Sequence, residues 1–335
     1  MNWKYFIGID VSKLSVDICV LSGKEKVVNV ALKNDPKALQ AFWRQMAGDY
    51  PDFIPGQIIC CLEHTGIYNE HLLSFLSAKK VDICLENATH IKLSGGLLRG
   101  KSDQVDACRI ATYAYREKDS LRLWKAPRPV ITTLKHLSAL RNRLINAKKS
   151  FSVPAKEMGS FDTQAAKLMT SLTKNTLRHI DKDLKALEAK MQQVIQEDPT
   201  LKRLFSITTS VSGIGPITAI AMIITTNEFQ NIQEAPQYAC YAGIAPFEHS
   251  SGTSVRGRTR VSHKANKSVK TLLHMAALTA IQYNTEIKQY YDRKVEQGKN
   301  KMLVINAVRN KLIHRVFTCI NQNRHYEKNY RNIFA

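Results

Sequence analysis

Four carboxylates stand where apolar or structural residues would be expected. Asp10 ends the apolar run "FIGID", Glu63 ends "QIICCLE", and Asp103 and Asp106 open a helical stretch after the glycine-rich, basic segment "LSGGLLRGKS". Asp103 and Asp106 are three apart, so one face of a helical turn can present both. If all four met in space they would repel one another, and a hard cation is their natural partner. Mg²⁺ suits such a set because it prefers carboxylate, water and phosphate oxygens. Two such ions roughly 3.5–4 Å apart could bind both the attacking and the leaving oxygen of a phosphodiester. Each acid also has an ordinary role open to it. Asp103 could be a helix N-cap, Asp106 could complement the macrodipole, Glu63 could pair with a lysine, and Asp10 could cap a turn before Ser12. Taken together, beside a polybasic second half, they favour a metal site. His64, directly after Glu63, reads as a packing or surface residue.

A second constellation is "HSSGTSVRGRTR" at His249–Arg260. A serine alkoxide can attack a phosphodiester when cations stabilise the charge and a group removes its proton. Arg256, Arg258, Arg260, Lys264, Lys267 and Lys270 form a basic cluster through this region that could hold nucleic-acid phosphates. Spacing alone favours a flexible polar loop that contacts a DNA backbone without chemistry. "VSGIGPITA" (Val211–Ala219) is either a helix–hairpin–helix offering backbone N–H groups to a phosphate or a tight helix corner in which glycine permits the turn.

The acids must be positioned by the elements around them. "YFIGID" reads as a buried strand, "SVDICVLS" as its antiparallel neighbour, and "KVVNVALK", after a turn at Gly23, as a third strand. A helix is expected from Pro36 to about Met46, with proline in its first turn. "QIICCLE" is apolar enough to be buried on both faces. A helix over Asn69–Lys79 and a strand "VDICLEN" follow. Three meandering strands and then strand–helix–strand is the order of a ribonuclease-H-like fold. In "DQVDACRIATYAYRE", Ala107, Ile110, Ala111 and Ala114 form a helical apolar stripe. Thr132 to about Ala147 and Phe161 to about Gln196 read as long helices, a linker or antiparallel coiled coil. Beyond Leu201, apolar helical segments frame the Gly-Ile-Gly turn and the serine loop, and a helical pair runs to about Asn323.

Charge separates the two parts. The net charge is +21, yet residues 1–120 carry 15 Lys and Arg against 14 Asp and Glu. Leu121–Ser150 holds eight basic residues and no acid. A near-neutral first part joined to a part that binds a polyanion follows, and nucleic acid is the polyanion of choice. Hydrophobic residues at 44% and ordinary Gly and Pro exclude a disordered chain. No apolar run is long enough for a membrane span, and the start lacks a basic-then-apolar leader, so a cytoplasmic, nucleoid-associated protein is expected. Seven cysteines, odd in number and without a C-x-x-C, read as reduced core thiols.

"GIDVSK", "LEHTGIY", "GKSDQVDACRIA", "VSGIGPITA", "YAGIAPFEHSSGTSVRG" and "SHKANKSVKTLL" occur in the order found in a group of insertion-sequence recombinases. The chain resembles this DEDD-type transposase family from Ile7 to about Ala307; its relatives include pilin-gene invertases and bridge-RNA-guided recombinases. The resemblance implies a RuvC-like N-terminal domain over 1–125, a helical coiled-coil linker over 126–200, and a mainly helical C-terminal transposase domain over 201–335 with a helix–hairpin–helix-like turn. It implies that Asp10, Glu63, Asp103 and Asp106 hold Mg²⁺, two ions per site. Ser251 falls on the family's nucleophile, which forms a transient phosphoserine link to double-stranded DNA. Ser250 and Ser254 stand beside it as further candidates. Arg256 is implied at the scissile phosphate, and the run 121–150 at RNA or DNA backbone. A structured guide RNA and assembly into homodimers and homotetramers, with the acids of one subunit meeting the serine of another, are also implied. Two other readings compete: a RuvC-like structure-specific endonuclease in which metal-bound water attacks, and a non-catalytic nucleic-acid-binding protein on the same scaffold.

Overall fold

Alternating apolar side chains build the first part of the chain into a sheet. The computed structural model describes residues 2–64, 66–95, 102–251, 255–261 and 265–327, with the backbone alone over 247–251 and 255–260. It divides into two units, Met1–Ala126 and Pro127–Ala335. In the first unit, strands β1 (Tyr5–Val11), β2 (Ser15–Ser22) and β3 (Glu25–Lys33) meander. Helix α1 (Pro36–Asp49) crosses to β4 (Ile58–Glu63), α2 (Glu70–Ala78) leads to β5 (Asp82–Glu86), and α3 (Ala88–Ser94) and α4 (Asp103–Arg116) follow. The sheet order is β3-β2-β1-β4-β5, with β2 antiparallel to β1 and β3, and β4 parallel to both β1 and β5. The element order expected from the sequence, three meandering strands and then strand–helix–strand, is the one observed.

Strand alternation divides the apolar residues between two faces. Tyr5, Ile7, Ile9 and Val11 of β1, with Val16, Ile18 and Val20 of β2, pack on Phe42, Trp43 and Met46 of α1 and Leu72 and Leu76 of α2. Phe6, Cys19, Ile59, Cys61 and Cys84 pack on Ala107, Ile110, Ala111 and Ala114 of α4. With helices on both faces, β4 is apolar and buried from Ile58 to Leu62, as expected, and only Glu63 at its end departs from this. Gly8 decides how near α4 can come. A Cβ there would lie 2.1 Å from the Ala107 carbonyl oxygen and 2.2 Å from the Ala111 nitrogen, so only a bare backbone lets the helix rest on β1.

One expectation about the cysteines is overturned. Cys19 of β2 and Cys108 of α4 form a disulfide, their Cα atoms 5.0 Å apart where the helix crosses the strand. Cys60, Cys61, Cys84 and Cys319 are buried free thiols.

The second unit is built of helices α5 (Pro129–Met158), α6 (Thr163–Glu197), α7 (Pro199–Ser210), α8 (Pro216–Thr225), α9 (Ala235–Tyr241), α10 (Lys267–Tyr283), α11 (Thr285–Glu296) and α12 (Lys301–Asn321), with strands β6 (Pro246–Ser251) and β7 (Val255–Val261). Helices α5 and α6 lie antiparallel, cross-linked by Arg141–Glu188 and Lys148–Asp181. Helix α5 runs eleven residues beyond Ala147, past Pro154. The proline forgoes one helical hydrogen bond, and burial of Ala155 beyond it holds the helix on course. Arg128, just before α5, grips Asp198 with two nitrogens at 2.7 and 3.0 Å and also reaches Glu228.

Gly213, at φ +94° between α7 and α8, faces α10, where an added Cβ would lie 2.5 Å from the Ala276 carbonyl oxygen. Close helix packing therefore accounts for the first glycine of "GIG". Among the described residues no helix is long and apolar enough to cross a membrane.

The polar loop expected around the serines is instead a β-hairpin. Strands β6 and β7 pair antiparallel, with Ser250 opposite Arg256 and Ser251 opposite Val255. Arginine recurs at every second position of "VRGRTRV", but few of the residues between are apolar, so the usual strand signal is weak.

Candidate metal centre

The carboxylates are assembled by register and by one helix crossing. In the parallel pairing of β1 with β4, Gly8 lies opposite Cys61 and Ile9 opposite Leu62, so Asp10 and Glu63 come next on the same rung. Both share the face that carries Phe6, Cys61 and α4. Helix α4 touches β1 at Gly8 through Ala107 and Ala111; Asp106 directly precedes Ala107, and Asp103 stands one turn before it. The close approach that Gly8 permits thus brings the start of α4 over the ends of β1 and β4.

Three of the ordinary roles fall to other groups, while Asp106, with Asp103, does stand in the first turn of α4 where it complements the macrodipole. Ser102, not Asp103, caps α4, its hydroxyl accepting from the Val105 amide at 3.3 Å. Asp103 is left exposed at the first helical position. Glu63 has no lysine partner among the described residues, and its own carbonyl accepts from the Asn69 side chain at 2.7 Å. The turn after β1 is closed by Ser12 and Ser15, whose hydroxyls lie 2.9 Å apart. Asp106 does have a partner: Arg109 donates to its Oδ1 at 2.6 Å.

Electrostatics shows that the acids feel one another. Burial, followed by the charges of Asp103, Asp106 and Asp17, pushes the Asp10 carboxyl above its ordinary range, against the opposing pull of the Val11 amide. Burial, followed by Asp10 and Asp106, does the same to Glu63. Among the described residues no group of three or more His, Cys, Asp or Glu is gathered tightly enough to chelate one ion as it stands. The expected convergence is therefore a shared face within electrostatic reach, with Asp106 turned toward Arg109. An all-carboxylate donor set in which burial and neighbouring charge hold Asp10 and Glu63 above their ordinary range fits a hard divalent cation.

Two acids on this rung escaped the sequence reading. Asp17 of β2 is the direct partner of Asp10, and Glu86 of β5 that of Glu63. Asp17 carried a signal, a carboxylate inside the apolar strand "SVDICVLS", of the same kind that singled out Asp10.

The other expected site residues lie in the second unit. Ser250 and Ser251 are in β6, Arg256, Arg258 and Arg260 in β7, and Lys267 is the exposed first residue of α10. Ser254 and Lys264 lie outside the described residues, as do residues 96–101 of the glycine-rich segment.

Comparison with known proteins gives matches in both halves. A DEDD-type family model described as Transposase matches residues 7–152. The family model described as Transposase IS116/IS110/IS902 family matches residues 206–292. The pilin gene-inverting proteins of Moraxella bovis and Moraxella lacunata are each 24% identical to this chain, over 97% of it and 98% of their own length. An insertion element IS110 protein of Streptomyces coelicolor is 27% identical over 50% of this chain and 39% of its own. A solved structure of T. thermophilus RuvC with a Holliday junction substrate aligns at a TM-score of 0.26 and 12% identity, covering 35% of this chain and 98% of that one. The chain belongs to the DEDD-type insertion-sequence transposase and recombinase family, and is an enzyme that acts on DNA by recombination.

Proposed function

We propose that this recombinase cuts and rejoins double-stranded DNA through a phosphoserine link at Ser251, assisted by Mg²⁺ held by Asp10, Glu63, Asp103 and Asp106. The observation that supports this reading is the adjoining positions of Asp10 and Glu63 at the ends of β1 and β4, with burial and neighbouring acids raising both carboxyls. When bound, the cations would neutralise charge gathering on the phosphate oxygens. In the first step the Ser251 Oγ bonds to phosphorus, its proton passes to water, and the P–O bond to one deoxyribose breaks, leaving a DNA hydroxyl. In the second step a DNA hydroxyl attacks the phosphoserine, and the serine hydroxyl is regenerated. No energy-rich co-reactant is consumed, because each broken ester is replaced by another. The backbone register, with Arg256 opposite Ser250, supports a role for the Arg256 guanidinium in gripping the scissile phosphate. The resemblance further supports a structured guide RNA and assembly as a homodimer or homotetramer.

The test is trapping of a covalent protein–DNA adduct on element-end DNA with Mg²⁺. Ser251→Ala should abolish the adduct, while Ser250→Ala and Ser254→Ala retain it. Strand breaks with no attached protein, unaffected by Ser251→Ala, would make water the nucleophile and remove the phosphoserine step.

A further inference from the structure

We propose that Asp17 is a fifth carboxylate of the cation site, facing the bound charge from the β2 side of Asp10. The inference deepens the reading of the acids as a cation site and rests on it.

The direction of the Asp17 side chain follows from its strand. Val16 and Ile18 point into the core shared with α1 and α2, whereas Cys19, on the same face as Asp17, is bonded to Cys108 of α4. Asp17 therefore lies on the α4 face, and in the β1–β2 ladder its Cα partner is Asp10. Like charges directly opposed across an antiparallel pair are destabilising. The charged groups on this surface are Asp10 beside it, which Asp17 pushes up, Asp103 on α4, which with burial pushes up Asp17, and Asp106, whose charge is met by Arg109.

Asp17 is also 7% exposed and receives no hydrogen bond among the described residues. Glu86, at the far end of the same rung, shows what a structural acid looks like here. Its carboxylate accepts from Tyr113 Oη at 3.1 Å and the Asn87 amide at 2.8 Å, and lies 2.9 Å from the His90 ring. Asp17 has nothing comparable. A buried carboxylate with no donor and acidic neighbours lacks any compensation from its own chain. A divalent cation between β1, β2 and the start of α4 supplies it, and makes the ladder pair an asset in the bound state.

The experiment titrates MgCl₂ and MnCl₂ into the full chain without nucleic acid, following the thermal midpoint and, for Mn²⁺, its spin-resonance signal. The variants are Asp17→Asn, which keeps shape and removes charge, Asp17→Ser, in case the amide disturbs folding, and Asp10→Asn as the reference for the site. Asp17→Asn should melt at or above wild type without cation, and bind Mn²⁺ about 10-fold more weakly, the size expected when a supporting group at a metal site is lost. Mn²⁺ affinity equal to wild type in Asp17→Asn and Asp17→Ser, with Asp10→Asn impaired, overturns the role of Asp17 and leaves the site standing. Wild type and Asp10→Asn responding alike to both cations overturns the cation site itself, and Asp17 with it.

Discussion

A carboxylate inside an apolar strand has to be explained by its neighbours, and at Asp10 they are other acids. Burial and the surrounding charges raise its proton affinity in the folded chain above the ordinary value of 3.8. A group with a raised folded pKa favours the folded state most fully below its unfolded value, and that contribution is lost as pH rises through the folded value. Asp17 and Glu63 shift in the same direction. In cation-free buffer, wild type should therefore lose stability relative to Asp10→Asn as pH rises from about 4 toward neutrality. Thermal melts of both proteins across that range check this, and a difference that is flat with pH would contradict it. Added Mg²⁺ should raise the wild-type midpoint at neutral pH and leave Asp10→Asn nearly unmoved. Asp10 and Glu63 were legible as anomalies in otherwise apolar runs. Asp17 is the same anomaly one strand later, but in a strand read as alternating, a single acid passes for a solvent-facing position.

Between elements, two glycines and one arginine carry most of the geometry. Gly8→Ala sets a methyl group against the backbone of α4, and backbone cannot yield as a flexible side chain can. The substitution should cost about 3 kcal/mol, at the upper end of overpacking effects, and weaken cation binding because α4 carries Asp103 and Asp106. Denaturant melts with a Mn²⁺ titration would register both effects. Gly213 makes the matching close approach to α10 in the second unit, at a φ of +94° that side chains avoid. Arg128 joins the start of α5 to Asp198, the cap of α7, and to Glu228, whose side chain is 3% exposed. Arg128→Met should destabilise by about 3–5 kcal/mol, because it strands a buried carboxylate; a chemical-denaturation midpoint close to wild type would contradict that. None of these three roles shows in composition. The serine hairpin was hidden for a related reason: arginines alternate with Gly257 and Thr259 in "VRGRTRV", a period-two pattern that passes for a polar loop when few of its residues are apolar.

At the scale of the whole molecule, the near-neutral first unit and the basic second unit divide the expected work between cation and polyanion. DNA binding should weaken steeply with salt, log affinity falling with log salt by roughly 0.9 for each phosphate neutralised. Lys267→Ala should reduce that slope by about 1 and weaken unrelated DNA sequences equally, which binding isotherms at several salt concentrations would measure. An unchanged slope would remove Lys267 from the interface. The sequence by itself determined the order of elements in the first unit and the basic half, singled out the four acids as candidates because each departs from what a buried strand or a balanced surface would carry, and through its ordered motifs determined the recombinase family. Only the tertiary structure decided which acids share a rung, that Ser102 relieves Asp103 of capping, that Arg109 holds Asp106, and that Cys19 meets Cys108. The shared rungs and the Cys19–Cys108 bond depend on register and helix crossing, set by residues far apart in the chain, whereas the Ser102 cap and the Asp106–Arg109 pair lie three residues apart on one helix and were open to a local reading.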